Sequence, residues 1–314
     1  MNKFKVGILG ATGFIGKALV NLLIKDSNST IDLFLFSRKI DNEYSNNPQI
    51  NHIQFDIQKS KIIPKEMYEI DIMYYLISET IPSTSWNNSK QEITNNLIPF
   101  VHLIEQLNLS KLKKIVYTSS AGTVYGSSKN KLNERSETLP FSPYGITKLT
   151  IEHFLNYFQI KQGINYDIYR ISNIYGPGQN TSKGLGLINT IIENHINNKE
   201  TIIFGDGESI RNYIYIDDVV EILKQSIYSN LIQSDIINLA SSDNKSINEL
   251  VSIIEKLIHQ KLRLRYENPR VSDNPCISID NTKLKNKHFN FKFTDLNDGI
   301  LKTYDSLLMN KDNN

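Results

Sequence analysis

Hydrophobic positions in the first half of the chain follow two alternating patterns. Short apolar runs of strand length recur between segments whose apolar residues keep the three- and four-residue spacing of an amphipathic helix. The predicted strands cover residues 4–9, 31–36, 53–57, 70–77 and 114–118, and the main predicted helices follow residue 15 and cover 93–107 and 146–158. Strands that alternate with helices in this way predict an α/β fold, a doubly wound parallel sheet that binds ligands at the carboxyl ends of its strands.

A glycine-rich loop lies between the first predicted strand and the first predicted helix. It reads Gly10-Ala11-Thr12-Gly13-Phe14-Ile15-Gly16. Glycines let the backbone turn sharply and approach a pyrophosphate, whose negative charge meets the N–H groups at the start of a helix. Because a strand precedes this loop and a second strand follows at the usual distance, the context predicts a bound dinucleotide rather than a simple turn.

The second predicted strand ends without the acidic residue that holds the adenosine ribose of NAD in many such folds. Ser37 stands where a carboxylate is expected, and Arg38 follows it. An arginine at this place can hold the ribose 2′-phosphate of NADP through charge-assisted hydrogen bonds. Both NAD and NADP therefore stay open, as does the simpler interpretation of Arg38 as a solvated loop charge.

A tyrosine and a lysine lie four residues apart at the start of the helix predicted over 146–158. Tyr144 and Lys148 would share one helix face. A neighbouring ammonium favours the phenolate, so we expect the pKa of Tyr144 to fall and its phenol to act as an acid and base. The alternative is an ordinary pair on a helix surface.

The pattern of strands and helices loosens after residue 173. The remaining signals are helices over 184–197 and 247–258, strands over 201–204, 236–240 and 262–266, and a helix entered through 211–222. This part is too short for an independent sheet domain. We therefore predict a dinucleotide-binding domain, residues 1–172 plus 212–240, and a smaller C-terminal α+β substrate-binding lobe, residues 173–211 plus 241–314.

Composition excludes several other classes of protein. The net charge of the 314 residues is +2, which argues against a surface that binds nucleic acid or membrane. The single cysteine, Cys276, allows no internal disulfide and is expected to be a packed residue; with no signal peptide or membrane span in the sequence, we expect a cytoplasmic protein. The six histidines are scattered without metal-ligand spacing, so no metal site is predicted.

Five motifs in order resemble the nucleotide-sugar epimerase/dehydratase family of extended short-chain dehydrogenases/reductases. They lie at 10–16, 118–126, 144–148, 170–178 and 211–219, and the similarity to UDP-glucose 4-epimerases extends along nearly the full chain. The resemblance implies a substrate that is a nucleotide-diphosphate sugar. It also implies a homodimer formed through the helices near 93–107 and 144–158.

The resemblance also assigns roles to individual residues. The implied cofactor-binding residues are Gly10, Gly13, Phe14, Ile15 and Gly16 at the pyrophosphate, Asp56 and Ile57 beside the adenine, Asn96 as a support from the fourth helix, and Lys148 at the nicotinamide ribose beside Tyr144; Thr12 of the glycine loop and Arg38 complete the predicted set. Tyr144 would be the acid/base. The implied substrate-binding residues are Thr123, Asn173, Arg211 and Arg270, of which the two arginines would clamp the diphosphate.

The chain departs from the family at the position of the catalytic hydroxyl. Where the family carries Ser or Thr, this sequence has Ala121. Either Ser120 or Thr123 supplies the hydroxyl, or Tyr144 works alone. The acidic pair of 4,6-dehydratases is also absent from this loop, which disfavours elimination of water.

These observations together predict transient hydride transfer at carbon 4 of a nucleotide-linked hexose, which is epimerisation. The alternative enzyme is an NADPH-dependent reductase of a 4-keto-6-deoxy nucleotide sugar, which Arg38 and Ala121 favour. A third hypothesis is a non-catalytic cofactor-sensing protein, against which the retention of Tyr144 and Lys148 argues.

Overall fold

The computed structural model describes residues 4–26, 30–41, 43–44, 47–128, 130–182, 184, 186–228, 231–270, 277–288 and 291–312. The expectation for Cys276 lies outside these residues. Twelve strands occur among them: β1 Phe4–Leu9, β2 Ile31–Ser37, β3 Ile50–Gln54, β4 Ile72–Tyr75, β5 Lys114–Ser120, β6 Asn165–Ile171, β7 Asn173–Tyr175, β8 Thr201–Phe204, β9 Ile210–Tyr215, β10 Asp235–Leu239, β11 Asn244–Ser246 and β12 Leu264–Glu267.

Eleven α-helices connect these strands in the described part of the chain. They are α1 Phe14–Lys25, α2 Pro82–Ser85, α3 Ser89–Glu92, α4 Ile98–Gln106, α5 Ala121–Val124, α6 Pro143–Gln162, α7 Leu187–Ile196, α8 Ile216–Gln225, α9 Ile247–Ile258, α10 Thr282–Lys287 and α11 Leu296–Asp312.

The chain divides into two compact units. The first comprises Met1–Ser120, Pro140–Arg170 and Val220–Ile237, and the second Ala121–Leu139, Ile171–Val219 and Asn238–Asn314. The sequence-based boundaries differ mainly because they place residues 121–139 and 212–219 with the dinucleotide-binding part.

The first unit contains a seven-stranded sheet with the order β10-β6-β5-β4-β1-β2-β3. The pairs β1–β2, β1–β4, β2–β3 and β4–β5 are parallel, and Leu9 pairs with Phe36 on one side and Tyr75 on the other. The chain starts at β1 and later returns to β4 on its other side, so the crevice of a doubly wound sheet lies beyond the carboxyl ends of these two strands. The predicted fold class is confirmed.

Side chains on the central strands explain why the sheet is buried. Every residue of β4 is buried, and the rings of Tyr75, Phe100 and Tyr117 pack together with centroids 5.0 to 6.3 Å apart. An ion pair between Lys114 and Asp167, with Nζ and Oδ2 3.0 Å apart, links neighbouring strands β5 and β6 inside the protein.

Two predicted elements of the first unit are shifted. The third strand covers 50–54 rather than 53–57, because it pairs with β2 from Leu33–Ile50 to Ser37–Gln54 and then enters a turn in which the Asp56 carboxylate accepts the N–H of Gln58. The helix predicted from residue 93 starts earlier, as α3, and passes through a π-helical turn at Ile93–Leu97 before it continues as α4. Pro99 has no N–H for the carbonyl of Asn95, which accepts the Gln58 side-chain amide instead, at 3.3 Å.

The second unit contains two small sheets. One has the order β11-β9-β7, with β9–β11 antiparallel and β7–β9 parallel; the other pairs β8 with β12 in parallel. Asp218 in α8 accepts hydrogen bonds from the backbone N–H and the hydroxyl of Thr294, at 2.9 and 2.8 Å, which anchors the segment before α11.

Candidate active site

The glycine loop has the geometry of an anion-binding helix start. Gly10 has a φ of 88°, and the N–H of Gly13 donates to the carbonyl of Gly10 at 3.0 Å. A Cβ on Gly16 would lie 2.1 Å from that carbonyl oxygen, so only glycine lets α1 approach the loop this closely. Within the described chain no side chain caps α1 and no acidic residue lies in its first turn, so its N–H groups face outward without a competing carboxylate. These residues fit a dinucleotide pyrophosphate.

The polar groups after β2 are already engaged. The hydroxyl of Ser37 donates to the carbonyl of Lys39 at 2.6 Å and lies 2.8 Å from a ring nitrogen of His52. Arg38 pairs with Glu79, at 3.1 Å between Nη1 and Oε1. A 2′-phosphate would have to compete with the Glu79 carboxylate for Arg38, so this region does not favour NADP.

Asn96 holds the loop that follows β4. Its side-chain oxygen accepts the N–H of Glu79 at 3.0 Å, and its amide donates to Glu92 at 3.1 Å and to the Thr80 hydroxyl at 3.3 Å. Asn96 therefore shapes this loop, and its predicted support of the cofactor stays a prediction. Asp56 is half-buried and Ile57 is buried in the turn after β3, and their predicted contact with the adenine stays a prediction.

The structure brings Tyr144 and Lys148 together at the start of α6. This helix begins after Ser142, whose hydroxyl accepts the N–H of Gly145 at 3.1 Å, and the N–H of Tyr144 donates to Ser85 at 3.2 Å. The Lys148 ammonium donates to the carbonyl of Thr118 at 2.9 Å and lies 5.5 Å from the centroid of the Tyr144 ring. The pair thus lies at the carboxyl end of β5.

Proton affinities in this pair differ from the sequence-based expectation. The pKa of Tyr144 is raised to about 12, mainly by burial and to a smaller extent by the charge of Glu92, while the Ser78 hydroxyl lowers it. The pKa of Lys148 is lowered to about 8 by burial, although the negative charges of Glu92 and Glu152 raise it. The expectation that the pKa of Tyr144 lies below its ordinary value is therefore wrong for this structure, because burial of the phenol raises it.

Hydroxyl groups near the end of β5 have different surroundings. The hydroxyl of Ser119 donates to the Glu152 carboxylate, and Ser120, the last residue of β5, is half-buried. Thr123 belongs to the second unit, where its buried hydroxyl has no partner among the described residues. The hydroxyl that lowers the pKa of the Tyr144 phenol is that of Ser78, which donates to the carbonyl of Thr80 at 3.1 Å and which the sequence reasoning missed.

A sequence signal for Ser78 existed. Tyr75 and Tyr117 are paired on neighbouring strands β4 and β5, and Ser78 follows Tyr75 by the same three residues that separate Ser120 from Tyr117. Polar residues just beyond two adjacent parallel strands collect at one edge of the sheet.

The predicted substrate-binding residues lie in the second unit. Asn173 donates from its amide to the carbonyl of Asn212 at 2.9 Å, and Arg211 donates to the carbonyl of Ile210 at 3.0 Å. The guanidinium carbon of Arg270 lies 3.5 Å from the centroid of the Phe204 ring.

Phe204 and Arg270 line a cavity of about 930 Å³ together with Tyr266. Two aromatic rings and a guanidinium offer stacking surfaces for a planar base and bidentate donors for a phosphate. The sequence reasoning found Arg270 and missed both rings, whose aromatic character was visible but whose convergence depends on the pairing of β8 with β12.

In the described part of the chain, no group of three or more His, Cys, Asp or Glu residues could hold a metal ion. None of the helices found there is long and apolar enough to cross a bilayer. A doubly wound sheet with a glycine loop and a Tyr-Lys pair beyond its strand ends defines a dinucleotide-dependent enzyme of the α/β class.

Comparison with known proteins agrees with this class. Residues 6–240 match the NAD dependent epimerase/dehydratase family. The chain is 28% identical to a putative UDP-glucose 4-epimerase of Methanocaldococcus jannaschii over 93% of this chain and 95% of the relative. It is 29% identical to dTDP-4-dehydro-6-deoxyglucose reductase of Escherichia coli over 86% and 87% of the two chains.

A solved structure agrees with the same class of enzyme. UDP-glucuronic acid 4-epimerase from Bacillus cereus, in complex with UDP-glucuronic acid and NAD, superposes with a TM-score of 0.89 at 26% identity, covering 98% of this chain and 99% of that one. The chain belongs to the NAD dependent epimerase/dehydratase family. The predicted family, the predicted enzyme class and NAD, of the two predicted cofactors, are confirmed.

Proposed function

We propose that this protein is a nucleotide-sugar 4-epimerase that uses NAD. The observation that carries the proposal is the Tyr144–Lys148 pair at the carboxyl end of β5, in the same unit as the glycine loop. The M. jannaschii and B. cereus relatives named for 4-epimerisation match nearly the full chain, which supports the same reaction here.

Tyr144 is the residue that moves the proton. In this proposal its phenolic oxygen takes the proton of the hydroxyl at sugar carbon 4 and later returns it. NAD supplies an acceptor for the hydride of that carbon and gives the hydride back to the opposite face of the sugar. Lys148 keeps a positive charge beside the phenol, and Ser78 offers its hydroxyl as the hydrogen-bond partner that Ala121 cannot be.

The sugar nucleotide is proposed to bind the second unit through its nucleotide part. Phe204 and Tyr266 provide rings for the base, and Arg270 with Arg211 provides guanidinium groups for the diphosphate. Uridine is the base named in the two epimerase relatives, so a UDP-hexose or UDP-hexuronic acid is the proposed substrate class. The proposed roles of Asn173 and Thr123 at the sugar rest on the family resemblance.

The experiment is an interconversion assay on the purified protein. UDP-glucose, UDP-N-acetylglucosamine, UDP-glucuronic acid and their galacto epimers are incubated separately without added cofactor, and the products are separated by chromatography. At least one pair should interconvert, and Tyr144→Phe should lower the rate about a hundredfold or more, the usual worth of a positioned acid/base. Absence of interconversion in every pair, with NAD bound to the protein, would overturn the proposal. A Tyr144→Phe variant equal to the parent would indicate a non-catalytic cofactor-sensing protein.

The second candidate is a reductase of a 4-keto-6-deoxy nucleotide sugar. The similarity to the E. coli reductase and the alanine at position 121 favour it, whereas the Arg38–Glu79 ion pair argues against a cofactor with a 2′-phosphate. Consumption of one equivalent of NADPH per equivalent of dTDP-4-dehydro-6-deoxyglucose, without epimerisation of any UDP-sugar, would select this reaction.

A cytoplasmic homodimer is the proposed working form. Ile98 of α4 and Ile146, Tyr157 and Ile160 of α6 are large apolar residues with 45 to 78% of their surface exposed. The two helices contact each other, so these side chains offer one apolar region for a second copy. Light scattering of the purified protein distinguishes a dimer from a monomer, and Ile160→Glu is expected to shift the equilibrium towards the monomer.

A further inference from the structure

A buried carboxylate lies next to the proposed acid/base pair and has no role in the reaction described above. Glu92 ends α3 and exposes only 1% of its surface. One of its oxygens accepts a hydrogen bond from the Thr80 hydroxyl, and the other accepts the Asn96 amide at 3.1 Å. Both oxygens of the Glu92 side chain are thus held by neutral donors.

Glu92 differs from the other acidic groups of this region because its hydrogen-bond donors are neutral. Among the described residues, no Lys, Arg or His forms an ion pair with its carboxylate. By contrast, Glu79 in the same loop pairs with Arg38, and Glu152 of α6 pairs with Arg170. Burying a charge with only neutral donors is costly.

Helix α6, which carries Tyr144 and Lys148, packs against α3, so both of these groups lie in the field of Glu92. Lys148 and Tyr144 come from α6 and Tyr117 from β5; the negative charge of Glu92 favours the ammonium of the lysine and disfavours ionisation of both phenols. Lys148 forms no ion pair with any described residue, and its ammonium bonds the neutral carbonyl of Thr118. Glu92 and Lys148 are therefore two buried opposite charges that balance each other without touching.

We propose that Glu92 is a positioning residue whose buried charge, held by Thr80 and Asn96, fixes the pH range in which Tyr144 and Lys148 carry out proton transfer. The inference rests on the proposed function for its catalytic readout. Removing the charge makes loss of a proton from the Tyr144–Lys148 pair easier at every step, so both limbs of the pH–rate profile move in the same direction.

The test is the pH dependence of kcat/KM for Glu92→Gln, which keeps the size and part of the hydrogen bonding. Both limbs should move to lower pH by about one unit, with the maximum rate largely retained. The matched control is Glu193→Gln, since Glu193 in the second unit likewise accepts a hydrogen bond from a threonine hydroxyl, that of Thr181. The control should leave both limbs in place.

Two further variants keep the test decisive. Glu92→Leu, which removes the charge and needs no donors, should give the same shift as Glu92→Gln and serves if that variant does not fold. Thr80→Val removes a hydrogen bond and keeps the charge, so its limbs should stay near those of the parent. A lower rate at every pH with unmoved limbs in both Glu92 variants would overturn the proposal.

A titration without substrate separates this inference from the proposed function. Carbon-13 labelling of the tyrosine ring, with the Tyr144 signal assigned by its loss in Tyr144→Phe, follows the phenol directly. The signal should titrate at lower pH in Glu92→Gln. If it does so while no sugar nucleotide is converted, the proposed function fails and the role of the charge stands; an unchanged titration contradicts the role itself.

Discussion

The buried ion pair between Glu152 and Arg170 gives a quantitative prediction for stability. Glu152 lies one turn after Lys148 in α6, and its carboxylate accepts Arg170 Nε at 3.1 and 3.2 Å and Nη2 at 2.6 Å, as well as the Ser119 hydroxyl. The side chains of Glu152 and Arg170 are 3% and 5% exposed. The perturbation is Glu152→Gln, which keeps the shape of the side chain and removes its charge.

The expected loss of stability comes from the Arg170 charge, which stays buried after the substitution. Arg170 keeps its positive charge in a buried site, and breaking one partner of a buried pair costs about 3–5 kcal/mol. The glutamine oxygen still accepts one hydrogen bond, so we expect the lower end, a loss of about 3 kcal/mol in the free energy of unfolding. This is a large part of the stability of an ordinary domain.

The matched control is Glu200→Gln. Glu200 also pairs with an arginine, with Arg265 Nε 2.9 Å from its Oε2, but these side chains are 50% and 54% exposed. Solvent screens such a pair, so the control should lose less than about 1 kcal/mol. Urea unfolding of both variants, followed by circular dichroism and by the fluorescence of Trp86 in the first unit, measures the two losses. Equal losses would refute the reasoning from burial.

Three further predictions concern the glycine loop and the acid/base pair. Gly16→Ala places a Cβ 2.1 Å from a backbone oxygen, so the loop must shift, and calorimetry should show NAD affinity reduced at least about tenfold; unchanged affinity contradicts this. Ser78→Ala removes the hydrogen bond that lowers the pKa of Tyr144, so turnover near neutral pH should fall about tenfold, more than in Ser120→Ala. Burial lowers the pKa of Lys148 from 10.5 to about 8, so the folded state binds fewer protons between these values and stability rises with pH there. The stability advantage of Lys148→Met over the parent should thus shrink from pH 7 to pH 10. An advantage that stays constant over this range would contradict the prediction.

The parts of the fold that could be predicted are those set by local sequence. The strand, glycine loop and helix at 4–25 depend on apolar spacing and on glycine, and the structure has them where the sequence placed them. The third strand was displaced because its register is set by pairing with β2, which a single segment does not reveal. The π-helical turn before α4 required the coincidence of Pro99 with a distant amide donor, Gln58.

The site residues also divide into those placed by local spacing and those placed by the pairing of distant strands. Tyr144 and Lys148 come together because one turn of a helix separates them, so spacing alone was sufficient. Phe204 and Tyr266 are 62 residues apart in sequence and converge only because β8 and β12 pair in register at Tyr266–Ile203 and Glu267–Phe204. Single residues of this kind carry no periodic signal of their own.

Proton chemistry at Tyr144 is the least local property of the site. The lysine four residues away was visible in sequence, yet burial, the hydroxyl of Ser78 and the charge of Glu92 determine the proton affinity of the phenol. Ser78 and Glu92 reach α6 through the loop after β4, which Asn96 holds in place by binding the N–H of Glu79. Two chains with the same Tyr-x-x-x-Lys motif can therefore differ in the pH at which they work, because the deciding charges come from segments that the motif does not include. In the proposed mechanism the motif supplies the atoms that exchange the proton, and the loop after β4 sets the pH at which they exchange it.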